Sequence, residues 1–183
     1  CVQCHLYVFG KGKRLLSKNP TFSPKIVSLG ETFPDAKIIC LVRSPLEVVP
    51  SAFSMASFLY KFYSGSSGPY PMLNFTLDLL AYWYDYPIQQ LEAWDSNRQK
   101  ILKYTTLTQN PEQTVIDIYD RFGLNISSQY HQVLREEAFN SRKFKSYHKY
   151  SEKQCGLSRE QIIFYYNNIF DRFNFNTGDT SKL

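Results

Sequence analysis

The feature that most constrains the fold is an apolar run, KIICLV (37–42), which ends at a single arginine, Arg43, and is followed at once by a helix start. A near-continuous apolar run is typical of a strand that is covered on both faces in a parallel sheet. Ser44 is the predicted N-cap of the following helix, Pro45 takes its first position, and Glu47 completes a capping box. This junction predicts an α/β fold with Arg43 at the carboxyl end of a buried strand.

Strand and helix patterns alternate along the rest of the chain. The further predicted strands are RLLS (14–17) and KILKYTTL (100–107). The further predicted helices are 23–33, with Ser23 as N-cap and Pro24 first; 75–96, kinked or split at Pro87; 110–124, with Asn110 and Gln113 in a capping box; and 158–173, with Ser158 and Gln161 in another. Because no linker or repeat interrupts this pattern, we expect one domain over residues 1–183, with a parallel sheet flanked by helices.

Composition limits the class of protein. No window of 18 apolar residues occurs, so no transmembrane helix is expected. The net charge of +5 favours anionic partners only weakly. The lone CxxC of Cys1 and Cys4 is too little for a zinc site, and no histidines or cysteines cluster at ligand spacing, so no metal is expected. Cys40 is predicted to be a buried free thiol, and the scattered cysteines favour a reducing, cytoplasmic location.

Arg43 and Ser51 form a candidate anion site. Ligands of open α/β sheets bind at the carboxyl ends of the strands, and the helix start after Arg43 supplies free N–H groups and the positive end of a helix dipole. The planar guanidinium suits a phosphate. Ser51 would reach the same anion only along the flank of the helix. Alternatively, Arg43 pairs with a carboxylate and Ser51 is an ordinary polar residue, and the spacing alone does not decide between these possibilities.

The segment FPDAKIICLVRSPLEVVPSAFS resembles the 3′-phosphate-binding segment of sulfotransferases that use 3′-phosphoadenosine 5′-phosphosulfate (PAPS). In that family a strand ends in arginine, a proline-containing turn follows, and a serine comes eight residues after the arginine. The resemblance implies that Arg43 and Ser51 hold the 3′-phosphate, in a three-layer domain like that of the P-loop NTPases. It also implies sulfuryl transfer to a hydroxyl or amine on a small-molecule, glycan or lipid acceptor. No nucleic-acid partner is expected, and no feature of the sequence indicates contact with a membrane.

Two further blocks resemble the same family. LLSKNPTFSPKI places Lys18 at the family's lysine, which implies a catalytic role at the sulfuryl group or the bridging oxygen. ILKYTTLTQNPEQTVIDIYDRFGL places Tyr104 at the tyrosine that contacts adenine, with Thr105 and Thr106 in place of an acidic pair.

A fourth block, HKYSEKQCGLSREQI, is similar to the C-terminal loop and helix of the family's bacterial-type branch. This region supplies further contacts to the 3′-phosphate in the family. The resemblance makes His148 and Lys149 the best-placed candidates, with Arg142 and Lys143 behind them. A Gly-, Ser- and Pro-rich loop at 63–71 is a candidate mobile lid.

The chain departs from the family pattern in two places. No loop for the 5′-phosphosulfate precedes Lys18, so we expect that the first strand and this loop are missing from the chain. Pro20 occupies the position of the histidine base that many members carry. Two alternatives to an enzyme of this family therefore remain: a non-catalytic remnant that binds a partner, and a nucleotide kinase, which would need a Gly-Lys-Ser/Thr phosphate loop that the chain lacks.

Overall fold

The computed structural model of the chain describes residues 7, 10, 14–143 and 156–178. Two strands and a series of helices make up most of these residues. In chain order they are a 3₁₀ turn (Pro20–Lys25), α1 (Ile26–Thr32), β1 (Ile38–Val42), α2 (Pro45–Ser64), α3 (Leu73–Glu92), β2 (Gln99–Lys103), α4 (Tyr104–Gln109), α5 (Pro111–Arg121), α6 (Ser128–Ser141), α7 (Arg159–Tyr165) and α8 (Asn167–Phe173).

The two strands form a parallel pair. The register runs from Ile38 opposite Gln99 to Val42 opposite Lys103. Both strands were predicted, although β2 is shorter than expected because Tyr104 begins α4. The parallel arrangement places the carboxyl ends of both strands at the same edge of the sheet.

The predicted strand at 14–17 is wrong. Residues 14–19 adopt neither helix nor strand, and the side chain of Leu16 is 90% exposed. A strand is stabilised by pairing with a neighbour and by burial of a face, and no described segment supplies either for these residues.

The main core lies on one face of the sheet, where α2, α3, α7 and α8 pack together. Its buried members are Val42, Leu46, Val49, Leu77, Leu80, Tyr84, Ile88, Ile162, Tyr166, Ile169 and Phe170. On the opposite face α5 covers β2 through a smaller cluster of Leu102, Ile118 and Phe122. The result is the predicted α/β architecture, with helices on both sides of a parallel sheet.

The opposite face of β1 is less covered than the sequence predicts. Ile39 and Leu41 point away from the main core and are 38% and 43% exposed. The expectation that this strand is covered on both faces is therefore wrong within the described residues. None of the helices in those residues combines the length and apolar content needed to cross a bilayer.

Three predicted helix starts are found where expected, and one of them, with Asn110 as N-cap and Pro111 in the first position, begins α5. Ser158 and Gln161 form the complete capping box at the start of α7, although the helix is interrupted at Tyr166 before α8 begins. Ser44 takes the N-cap position of α2, but its side chain makes no capping bond, and the predicted box with Glu47 is wrong.

Other local predictions failed because a neighbouring group offered a better partner or because packing overrode propensity. Asn19 caps the 3₁₀ turn, so Ser23 does not begin the helix. The amide of Gln113 donates to Asp117 within α5 and does not form a capping box. Pro87 does not split α3, where it is buried against the core.

Candidate functional site

Two candidate residues from separate parts of the sequence meet at the carboxyl edge of the sheet. Because Val42 is paired with Lys103, the next residues, Arg43 and Tyr104, leave the two strands side by side. The guanidinium carbon of Arg43 lies 5.3 Å from the centroid of the Tyr104 ring. This is a cation–π contact, and it joins the candidate phosphate-binding arginine to the candidate adenine-binding tyrosine.

A carboxylate also contacts Arg43. The Nε of Arg43 donates a hydrogen bond to Oε2 of Glu47 in the first turn of α2. The two side chains are 50% and 44% exposed, so this ion pair stabilises the fold by only about 0–1 kcal/mol. The terminal guanidinium nitrogens have no hydrogen-bond partner among the described residues. Pairing with a carboxylate, one of the two possibilities left open by the sequence, therefore leaves donors of Arg43 available for an anion.

Ser51 lies one turn beyond Glu47 on the same side of α2, because residues four apart are neighbours on a helix surface. The helical rise places it about 6 Å further along the axis. Ser51 is partly buried, and its hydroxyl has no hydrogen-bond partner in the part of the chain that the structure describes. An anion that contacts both Arg43 and Ser51 would have to lie along the flank of α2. The contact of Glu47 with Arg43 was missed in the sequence, although an acid four residues after an arginine is a known pairing signal.

Tyr84, in α3, holds the backbone at the end of β1. Its hydroxyl donates a 2.8 Å hydrogen bond to the carbonyl oxygen of Arg43. Burial is the main cause, and the neighbouring Tyr166 a smaller one, that raises the pKa of the Tyr84 hydroxyl well above its ordinary value. The hydroxyl therefore stays protonated and remains a donor. The sequence predicts only that Tyr84 lies within the helix at 75–96, and no local pattern shows which backbone oxygen a buried tyrosine reaches.

The other predicted site residues are not joined to this cluster. Lys18 lies in the irregular segment before the 3₁₀ turn, is exposed, and makes no hydrogen bond, ion pair or ring contact with any described residue. The ammonium of Lys143 lies 4.2 Å from the centroid of the Phe139 ring at the end of α6. His148 and Lys149 lie outside the described residues. The roles of these residues stay predictions.

An open groove lies at the far end of α2, where the loop predicted as a lid (63–71) forms one wall. Its volume is about 510 Å³, and its lining residues are Ala56, Leu59, Tyr60, Tyr63, Ser64 and Tyr70. Tyr70 packs edge to face against Phe53 and Tyr60, and its hydroxyl lies 3.0 Å from that of Thr76. Exposed apolar side chains continue along the helix beside the groove: Met55, Phe58 and Phe62. The groove and this apolar stripe form one surface suited to an apolar ligand.

A second cavity, of about 300 Å³, lies beside β2. Its polar and charged lining residues are Lys100, Lys103, Thr106, Thr114 and Asp117. Arg43, Ser51 and Tyr104 line neither cavity. The side chain of Arg43 is 50% exposed and Tyr104 is 37% exposed, so both residues are open to solvent.

The sequence and the fold both match known proteins. A family model with the description "Sulfotransferase family" matches residues 3–128, which is more than half of the chain. The matched region contains Lys18, Arg43, Ser51 and Tyr104 and ends before the basic segment that holds His148.

Curated relatives agree with this match. The chain is 28% identical over 172 residues to the omega-hydroxy-beta-dihydromenaquinone-9 sulfotransferase Stf3 of Mycobacterium bovis, and to the protein of the same name from Mycobacterium tuberculosis. The alignment covers 91% of this chain and 42% of each relative. The chain thus spans about two fifths of the length of the curated relatives it matches.

Solved structures show the same fold at low sequence identity. The sulfotransferase STF9 from Mycobacterium avium superposes with a TM-score of 0.72 at 18% identity, over 87% of this chain and 41% of that one. The sulfotransferase domain from the curacin biosynthetic pathway gives a TM-score of 0.58 at 16% identity, over 96% of this chain and 67% of that one. At these identities the likeness shows the fold alone, a P-loop-like α/β domain.

Proposed function

Because the chain belongs to the sulfotransferase family, we propose that it takes part in transferring a sulfuryl group from PAPS to the hydroxyl or amine of an acceptor. The bond between sulfur and the 5′-phosphate oxygen breaks, a bond between sulfur and the acceptor forms, and the acceptor proton passes to a base. Adenosine 3′,5′-bisphosphate is the leaving product. Such a transfer needs in-line positioning of the reactants and positive charge near the oxygens that gain negative charge.

The contact between Arg43 and Tyr104 is the observation that carries this proposal. A 3′-phosphate on the terminal nitrogens of Arg43 would accept charge-assisted hydrogen bonds. The start of α2 adds the positive end of its helix dipole. Arg43 covers one face of the Tyr104 ring, and we assign the exposed remainder of that ring to adenine. Ser51 extends the phosphate site along the flank of α2.

We assign the catalytic role to Lys18. Its ammonium would stabilise the negative charge that develops on the bridging oxygen as the sulfuryl group leaves. The side chain is exposed, which leaves the ammonium available to a ligand. His148 and Lys149 are assigned to further 3′-phosphate contacts. The assignments of Lys18, His148 and Lys149 rest on the family resemblance. A cytoplasmic location is proposed from the pattern of cysteines.

For the acceptor, we propose an apolar, lipid-like alcohol. The groove at the end of α2 and the exposed stripe that contains Phe58 and Phe62 offer an apolar surface. This surface lies on the same helix as Ser51, about 12 Å further along the axis at Leu59. The Mycobacterium relatives are named for an omega-hydroxy menaquinone derivative. A long apolar tail with a terminal hydroxyl fits both observations.

The function is tested on the full-length gene product, by titrating it with adenosine 3′,5′-bisphosphate and with ATP in a calorimeter, and then by measuring bisphosphate release from PAPS in the presence of a long-chain alcohol. We expect the bisphosphate to bind, ATP to bind much more weakly, and release to depend on the alcohol. Bisphosphate binding without turnover would favour a non-catalytic binding protein. Binding of ATP but not of the bisphosphate would favour a nucleotide kinase, and binding of neither would contradict a donor site.

The acceptor is tested with a series of primary alcohols of increasing chain length. We expect KM to fall as the chain lengthens, because each buried methylene contributes about 0.8 kcal/mol. Leu59→Ser should raise KM for the long alcohol and leave KM for PAPS unchanged. A polyol that serves as well as the long alcohol would contradict a lipid-like acceptor.

A further inference from the structure

The carbonyl of Arg43 lies at a gap between two regular elements. β1 ends at Val42, and α2 begins at Pro45. In the first turn of α2 the carbonyl oxygen of Ser44 accepts hydrogen bonds from the N–H groups of Glu47 and Val48. Neither the sheet nor the helix therefore uses the Arg43 carbonyl. Within the described residues its hydrogen-bond partner is the hydroxyl of Tyr84.

Tyr84 is itself held firmly. Its side chain is 8% exposed, and its ring meets that of Tyr166 edge to face, with 5.9 Å between centroids. Tyr166 is 1% exposed, and its hydroxyl donates a 2.9 Å hydrogen bond to the carbonyl of Leu77 in α3. Leu77 lies inside α3, where the backbone N–H groups of the helix already donate to the backbone carbonyls. The two tyrosines are thus alike in burial and bonding, but only Tyr84 reaches the strand end.

The position of the Arg43 guanidinium depends on where its backbone lies. Glu47 and Tyr104 contact the side chain from the first turn of α2 and from the end of β2. Both of these side chains are exposed at the surface, so they resist displacement weakly. The contact with Tyr84 is different, because it ties the Arg43 backbone to the buried core.

We propose that Tyr84 is a positioning residue for the 3′-phosphate site, acting through its hydrogen bond to the Arg43 carbonyl. The proposal rests on the proposed function, since it takes the ligand of Arg43 to be the 3′-phosphate of the donor. Tyr84 does not touch the ligand. It sets the angle at which the strand end presents Arg43, so its loss should affect only ligands that carry a 3′-phosphate.

The test compares Tyr84→Phe with the matched control Tyr166→Phe, which removes an equivalent hydroxyl from the same aromatic pair. Calorimetry is done with adenosine 3′,5′-bisphosphate and with adenosine 5′-monophosphate, which lacks the 3′-phosphate. We expect Tyr84→Phe to weaken bisphosphate binding about 3- to 10-fold, the range expected for one neutral hydrogen bond, and to leave monophosphate binding unchanged. Tyr166→Phe should change neither.

Replacement of Tyr84 by p-aminophenylalanine keeps a donor at the same place and should restore wild-type affinity for the bisphosphate. If Tyr84→Phe fails to fold, the p-aminophenylalanine variant still tests the proposal, because it should bind the bisphosphate with wild-type affinity. Equal behaviour of Tyr84→Phe and Tyr166→Phe, with normal binding by the wild type, would overturn the role of Tyr84 alone. Failure of the wild-type protein to bind the bisphosphate would overturn the proposed function and this role with it.

Discussion

Replacing Arg43 by alanine tests the site most directly. The guanidinium offers its terminal N–H groups to a ligand while Nε pairs with Glu47. A hydrogen bond between charged groups is worth about 1.5–3 kcal/mol. Because Arg43 is 50% exposed, water competes for these donors, and we take the lower part of that range, about 1.5–2 kcal/mol. At about 1.4 kcal/mol per factor of ten, Arg43→Ala should weaken binding of adenosine 3′,5′-bisphosphate about 10- to 30-fold.

The variant should remain folded, so a loss of affinity can be assigned to the site. The substitution removes a partly exposed cation–π contact with Tyr104, worth about 0.5–1 kcal/mol, and an exposed ion pair with Glu47, worth about 0–1 kcal/mol. The sum is small beside the stability of about 5–15 kcal/mol that is usual for a folded protein. Urea unfolding followed by circular dichroism should show a shift of no more than about 2 kcal/mol.

The measurement is calorimetry with two ligands and two variants. Adenosine 5′-monophosphate lacks the 3′-phosphate, so Arg43→Ala should weaken its binding less than twofold. Arg135→Ala is the matched control, because Arg135 is also exposed and also pairs with a glutamate, Glu112 at 3.4 Å, but lies in α6. It should leave both affinities unchanged. Equal losses for the two nucleotides, or no loss for either, would refute the assignment of Arg43 to the 3′-phosphate.

Three further outcomes are expected. Lys18→Ala should lower kcat at least about 100-fold in the bisphosphate-release assay, because a preorganised charge at the reacting oxygen is lost. The affinity for the bisphosphate should stay within twofold of the wild type. An unchanged kcat would contradict a catalytic role for Lys18. Ser158→Ala should lower the free energy of unfolding in urea by about 1 kcal/mol, because the capping box with Gln161 is lost, and an unchanged value would show that this cap is not stabilising. Burial raises the pKa of Cys40 from 9.0 to about 11, which keeps the thiol neutral and unreactive. Alkylation of Cys40 at pH 8, followed by peptide mass spectrometry, should therefore be about 100 times slower in the folded than in the unfolded protein. Equal rates at Cys40 in the two states would contradict its burial.

Local signals in the sequence predicted the features that depend on a few neighbouring residues. The run KIICLV forms β1, Arg43 follows it directly, and α2 starts at Pro45. The capping box of Ser158 and Gln161 is present in full. These features need only short-range sterics and hydrogen bonds within one turn, which the local sequence contains.

Local signals failed where distant groups compete. Leu15 and Leu16 fit a strand pattern, yet both are exposed and no described segment pairs with them. Glu47 fits a capping box, but the guanidinium of Arg43 is a stronger partner for its carboxylate than a backbone N–H group. Pro87 was predicted to kink or split its helix, and α3 runs through it without a break, with Pro87 buried in the core.

The sequence by itself thus determined that an arginine ends a strand before a helix, and the family resemblance suggested a phosphate as its ligand. Only the tertiary structure decided what surrounds that arginine. The register of β1 against β2 brings Tyr104 to Arg43, and the packing of α3 on the sheet brings Tyr84 to its carbonyl. Both contacts join residues far apart in the chain. Their geometry depends on how whole elements pack against one another, which no local pattern encodes.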